Sequence, residues 1–154
     1  MLGIKDAIKQ ATEATYNKVL QYCYENGISN HTSEVKWSYD EQKNVGRVWT
    51  NDWVLIFNEM GTGITGKGKS HPYSSGPFKS WKYDINSHGE AGWWYPTTES
   101  DPNPYKWTDK DGQLRAWTQG LPSRHMFYSA YNDIKNEIGN YVEVGLRKTT
   151  KKMY

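Results

Sequence analysis

Residues 63–70, GITGKGKS, place glycines at 63 and 68 directly before Lys69 and Ser70. That spacing is the G-x-x-x-x-G-K-S pattern of a phosphate-cradling loop. In such a loop backbone N–H groups hold the phosphates, the lysine reaches the terminal ones and the hydroxyl binds Mg²⁺. The chemistry depends on context: a buried strand before the loop, and directly after it a helix whose free N–H groups face the phosphate. WVLIFNEM, residues 53–60, reads as the strand. The helix is missing, because Pro72, Gly76 and Pro77 fall in what would be its first two turns. Nor does the chain offer an apolar strand ending in a metal-binding Asp, or room for a doubly wound parallel sheet. The preferred reading is a flexible glycine-rich loop, with no nucleotide.

The other chemistry-bearing residues are read in the same way. Asp109–Gly112, DKDG, resembles part of a calcium loop, but the loop's first and last positions would then be Trp107 and Thr118, which are not suitable ligands. A turn between strands is the better reading. The four histidines, His31, His71, His88 and His125, stand apart from carboxylates and cysteines at metal-ligand spacing. The single cysteine, Cys23, excludes an intrachain disulfide and lies on the apolar stripe of a helix. It reads as a small core residue, with a thiol nucleophile served by His71 or His125 as the alternative. Glu59, Glu90, Glu99 and Asp101 invite comparison with a glycosidase, whose two carboxylates flank the scissile bond at a fixed separation. Solvated loop charges are the simpler reading. A non-catalytic sugar-binding surface of exposed rings is the stronger carbohydrate alternative. No catalytic residue, cofactor-binding residue or metal ligand is assigned.

The elements that would position these residues follow from periodicity. At 154 residues the chain is expected to form one domain, which can bury roughly 70% of its unfolded surface without staples. A net charge of +2 is too small to indicate nucleic acid or an anionic membrane. No apolar run reaches the ~20 residues of a membrane span, and the N-terminus has no continuous secretory core. Aromatic residues make up 15% of the chain, and all eight tryptophans lie between Trp37 and Trp117, so rings must fill the central core or coat a surface.

Ile4, Ile8, Ala11, Thr15, Val19 and Tyr22 or Cys23 predict a helix over 3–26, with Gly27 as its left-handed cap. Val35, Trp37 and Tyr39 alternate as in a strand. Residues 46–60 predict two more strands about an Asn51-Asp52 turn. Residues 61–112 form an extended Gly/Pro-rich aromatic flap, with short strands near Trp81–Tyr83 and Trp93–Tyr95. A strand over 113–120 and a helix capped by Ser123 complete the domain. Residues 148–154 are a basic tail. The fold class is α+β: N- and C-terminal helices packed on a small, mostly antiparallel sheet.

The order of short motifs is more specific. An Ala-rich helix and sheet lead to Glu59-Met60-Gly61-Thr62-Gly63. His71-Pro72 follows, then Trp81, Tyr83 and Gly92-Trp93, then Thr118-Gln119-Gly120-Leu121-Pro122, and finally His125-Met126-Phe127-Tyr128-Ser129-Ala130 opening the last helix. Across roughly residues 3–147 this order resembles the gene-product-ten family of lambdoid HK-type tailed bacteriophages, neck or tail-completion proteins that join head to tail. Met60 stands where members carry an aromatic residue, and Gly27–Thr32 replaces a Pro-x-x-Thr-Gly segment.

The resemblance implies a structural virion protein with no active site, made in the host cytoplasm. It would form a ring, expected to be a hexamer, between the head connector or head-completion protein and the tail terminator or tail tube. DNA would pass through the lumen without specific binding, and no membrane would be involved. It also implies an assembly loop built from Glu59, Gly61, Thr62, Gly63, Gly66 and Gly68, free to order against a neighbour, with interface aromatics Trp81, Tyr83, Trp93, Trp94 and Trp107. On that reading, replacing Gly61 and Gly63 by Val leaves the monomer folded and yields tailless heads.

Overall fold

The computed structural model describes residues 2–88 and 91–151, so Glu90 and residues 152–154 of the basic tail lie outside the described residues. The fold is α+β, with an N-terminal helix, a C-terminal helix and two small antiparallel sheets in place of the single sheet expected. The chain divides into two compact units, Met1–Glu59 with His125–Tyr154 and Met60–Arg124. The expected flap, 61–112, falls wholly inside the second. Among the described residues, no helix is long and apolar enough to cross a membrane.

In the first unit, α1 spans Leu2–Glu25. Its buried stripe is Ala7, Ala11, Val19 and Cys23, with Thr12 beside it, while Ile4 is half exposed. The helix stops in a Schellman motif. Gly27 takes φ +72°, its N–H reaches Tyr24 O at 3.1 Å, and Ile28 N–H reaches Cys23 O at 3.0 Å. A short 3₁₀ segment, Ser29–Glu34, leads to the hairpin of β1 (Lys36–Asp40) and β2 (Val45–Trp49), in register Lys36↔Trp49 through Asp40↔Val45. Asp40 Oδ1 accepts from the N–H groups of Gln42 and Lys43, each at 3.0 Å, and so shapes the turn. Gly46 lets β2 approach α1, because a Cβ there would lie 1.7 Å from Thr12 Oγ1.

The expected strand over 53–60 is instead helix α2, Trp53–Met60. An eight-residue apolar run does not distinguish a buried strand from a helix. The helix wins through its N-cap: Asp52 Oδ1 accepts Leu55 N–H at 2.9 Å, and Asp52 O accepts Ile56 N–H at 3.0 Å. Helix α4 runs Met126–Lys151, so the first residues of the expected tail continue it; the side chains of 145–151 are outside the description. It starts at Met126 rather than beside Ser123. The core joins Val19, Cys23, Val35, Leu55, Met126 and Ala130, and Tyr22 Oη donates to Asp133 Oδ2 at 2.6 Å, pinning α1 to α4.

In the second unit, helix α3 occupies Gly63–Gly68. Residues 72–80 form successive turns, and 81–84 carry no strand where one was expected near Trp81–Tyr83. A three-stranded sheet follows, built from β3 (Trp93–Pro96), β4 (Lys106–Thr108) and β5 (Leu114–Thr118) in the order β3-β5-β4, antiparallel throughout. The DKDG turn joins β4 to β5 as expected. Asp109 Oδ1 accepts from Asp111 N–H and Gln113 N–H, and Gly112 takes φ +77°.

Candidate interaction surface

The first six residues of the phosphate-loop match, Gly63–Gly68, form helix α3 itself, and Lys69 and Ser70 follow its end. Lys69 N–H is already committed to Gly66 O and Thr65 O, at 3.2 and 3.3 Å, and turns rather than a helix follow Ser70. Both halves of the strand-loop-helix requirement fail, since a helix rather than a strand precedes the segment.

The glycines serve close packing instead of chain freedom. A Cβ on Gly63 (φ +61°) would stand 2.3 Å from Gln119 O, and one on Gly61 (φ +79°) 2.8 Å from Ser123 N. Gly66 fits against Gly61 in the same way, with 2.6 Å to its carbonyl carbon. From the opposite side, a Cβ on Gly120 would meet Thr62 O at 1.9 Å. Hydrogen bonds close the knot: Thr62 N–H to Leu121 O at 2.8 Å, Leu121 N–H to Thr62 Oγ1 at 3.0 Å, and Thr65 N–H to Gln119 O at 3.2 Å. Gly63 N–H reaches Tyr83 O at 2.6 Å, and Trp81 Nε1 donates to Gly61 O at 3.0 Å. The open glycine arm therefore gives way to a packed junction that also absorbs Trp81 and Tyr83. Gly68 stands outside it, with nothing within 4 Å of a Cβ. The Gly61/Gly63→Val pair would break this packing, so a folded monomer is no longer the expected result.

Glu59 has a separate task within the first unit. Its two carboxylate oxygens accept Phe127 N–H at 2.8 Å and Tyr128 N–H at 2.9 Å, capping α4 where free N–H groups and the helix dipole favour a negative charge. Cys23 is fully buried, and burial, with a smaller push from the Glu59 charge, raises its thiol to about 11, opposite to what a nucleophile needs. Asp101 is held by Thr97 Oγ1, Tyr95 Oη at 2.7 Å and Asn103 N–H at 2.8 Å. The Thr97 bond first, then those from Asn103 and Tyr95, lower its carboxyl to about 2. It anchors the loop after β3. Glu99 contributes its backbone oxygen, which accepts from Lys106 Nζ at 2.8 Å. His31 Nδ1 lies 3.2 Å from Asp52 Oδ2. Burial pushes the Asp52 carboxyl up, but the bonds from Leu55 N–H and His31 outweigh it and leave the group below its usual range. Among the described residues, no three His, Cys, Asp or Glu side chains group in a way that would hold a metal ion.

The second sheet presents a different kind of feature. Cross-strand partners share a face, and the registers Trp94↔Trp117, Pro96↔Arg115 and Trp107↔Arg115 gather Trp94, Trp117 and Trp107 on one side. The register Lys106↔Ala116 and Trp107↔Arg115 continues to Tyr105 opposite Trp117, where Trp117 N–H donates to Tyr105 O at 2.9 Å, and alternation puts Tyr105 on the side of Trp107. Trp94 packs edge-on to Trp117 at 5.4 Å and tilted to Trp107 at 6.1 Å. The opposite face carries Ala116, which is fully buried, so the tryptophan side is the outward one. There Trp94 is 41% exposed, Trp107 53% and Tyr105 69%. Arg115 Nε donates to Asp109 Oδ2 at 2.6 Å at the margin of this face, and that bond foremost holds the Asp109 carboxyl low. Beside the rings runs an open groove of about 570 Å³, lined by Thr65, Asn103, Pro104, Tyr105, Trp117, Thr118 and Gln119, none of them charged.

Of the five expected interface aromatics, the structure brings Trp94 and Trp107 together here. Trp81 and Tyr83 belong to the glycine junction, and Trp93 lies on the other face, stacked on His88 at 5.6 Å. Tyr105 and Trp117 were missed. The period-two pattern of YKW, 105–107, and of LRAWT, 114–118, carries the signal that would have found them. No protein-family model matches the chain, and neither does any curated protein or solved structure.

Proposed function

We propose that the chain is a non-enzymatic structural subunit of a tailed-bacteriophage neck, a tail-completion protein whose copies close into a ring between the head connector and the tail. The observation that carries this reading is the outward aromatic face of the second sheet. Three large rings, each at least 41% exposed on one short sheet, are the composition of a protein interface core. The order of motifs from Glu59 to Ala130 supplies the kind of assembly. The meeting of its Gly61-Thr62-Gly63 and Gln119-Gly120-Leu121 parts explains physically why two such distant segments would travel together.

In this role the first unit supplies a scaffold of two long helices, and the second supplies the contact surface. Partners are further copies of the chain, the head-completion or connector protein, and the tail terminator or tail tube protein. DNA passes through the lumen without sequence-specific contact, and the mature location is the virion. Electron microscopy of the purified protein should show rings, and phage lacking the gene should accumulate tailless heads. Normal tailed particles in its absence, or release of muropeptides from peptidoglycan by the purified protein, would overturn the reading.

A further inference from the structure

A ring built from identical subunits needs two different patches on each copy, one to give and one to receive. The neutral groove beside Tyr105 and Trp117 is a concave candidate. Its convex counterpart is the turn segment after α3. From Ser70 to Phe78 the chain reads SHPYSSGPF, without a single Asp, Glu, Lys or Arg. Pro72, Tyr73, Ser75, Gly76, Pro77 and Phe78 are all exposed.

This segment is a built structure rather than a loose arm. His71 is 2% exposed and anchors it. His71 Nδ1 accepts Tyr73 N–H at 3.1 Å, and His71 O accepts Ser74 N–H at 2.8 Å. The rings of Tyr73 and Phe78 each lie 5.7 Å from the imidazole, Phe78 edge-on. Phe78 N–H and Gly76 N–H both return to Tyr73 O, at 3.2 and 3.0 Å. A shape fixed before contact costs less to bind than a segment ordered on contact.

We propose that the turn segment Pro72–Phe78 of one copy seats in the Tyr105–Trp117 groove of the next copy. The proposal rests on the chain forming a ring, and it names the contact that closes it. Chemistry selects this occupant. A charged peptide or a phosphate backbone would bring charges into a groove whose lining offers no counter-charge, which opposes binding. A segment of Pro, Gly, Ser, Tyr and Phe brings none. Its proline and ring surfaces suit Tyr105, Pro104 and Trp117, and its backbone groups suit the amide of Gln119 and the hydroxyl of Thr65, while the Asn103 amide is spent on Trp117 O and Tyr105 N–H and holds the wall of the groove. Both patches lie in the second unit, so the contact needs no rearrangement of the core beneath α1 and α4.

The test mixes two full-length variants, Ser75→Cys and Gln119→Cys, one of them isotope-labelled, at a concentration where sedimentation shows oligomers. Both positions are exposed, and Cys23 is fully buried and silent. A short bismaleimide should link the thiol introduced at position 75 of one variant to the thiol introduced at position 119 of the other. Tyr105→Ala should weaken self-association about tenfold with an unchanged unfolding midpoint. Oligomers that form without this cross-link would overturn the seating contact and leave the ring standing. A protein that stays monomeric at every concentration would overturn both. Tryptophan quenching by chitotetraose that Tyr105→Ala abolishes, without the cross-link, would overturn the contact in favour of a glycan site.

Discussion

Removing the Glu59 carboxylate tests whether α4 depends on a cap supplied by α2. The two bonds, at 2.8 Å to Phe127 N–H and 2.9 Å to Tyr128 N–H, join the Glu59 carboxylate to the first turn of α4. Bonds to charged groups contribute about 1.5–3 kcal/mol each when buried. The start of α4 is half-buried, so water recovers part of that in the variant. Loss of a helix cap alone costs about 0.5–2 kcal/mol, and loss of the charge–dipole term adds about 0.3–1 kcal/mol. Together these place Glu59→Ala about 2 kcal/mol below wild type. For a chain of this length that lowers Tm by about 4–8 °C, or the urea midpoint by about 1 M at a slope of ~2 kcal/mol/M. Glu59→Gln keeps one acceptor oxygen but loses the charge, and should fall about halfway. Chemical denaturation followed by circular dichroism measures both. If Glu59→Ala lies within about 0.3 kcal/mol of wild type, the cap does not hold α4, and the packing of Met126 and Ala130 alone positions it.

Gly63→Ala forces a side chain into a left-handed residue and against Gln119 O, and should cost about 2–4 kcal/mol, whereas Gly68→Ala, facing open space, should stay within about 0.5 kcal/mol of wild type. Equal midpoints for the two variants would show that the junction is not tightly packed. Leu55→Ala empties a fully buried position of the core and should cost about 2–5 kcal/mol in urea unfolding. Asp101 titrates at about 2 when folded, below its ordinary 3.8, so its stabilisation is present above pH ~4 and is lost as pH falls through 2. Asp101→Asn should therefore be less stable than wild type at pH 7, with the gap closing between pH ~4 and 2; a gap independent of pH would refute the assignment.

Much of the first unit was legible because its signals are local. The period of α1, the glycine after it and the alternation of Val35, Trp37 and Tyr39 act within a few residues, and α1, Gly27 and β1 follow them. The hairpin at Asp109–Gly112 and strands β3 and β5 were readable for the same reason. Misreadings arose where one stretch satisfies two templates. WVLIFNEM is apolar throughout most of its length, and only the Asp52 side chain, folded back onto Leu55 N–H, tips it into a helix.

The glycines of 61–68 were the harder case. A glycine looks the same in sequence whether it gives a loop freedom or lets two backbones touch, and the difference is made by Gln119, Gly120 and Leu121, which lie far along the chain. The sequence by itself determined the α+β class, the two long terminal helices and an aromatic-rich centre, because periodicity and composition act at short range. Only the tertiary structure decided which rings face outward, which carboxylate caps α4 and which glycines are contacts. Those outcomes depend on partners distant in the sequence, and burial is settled only when those partners arrive.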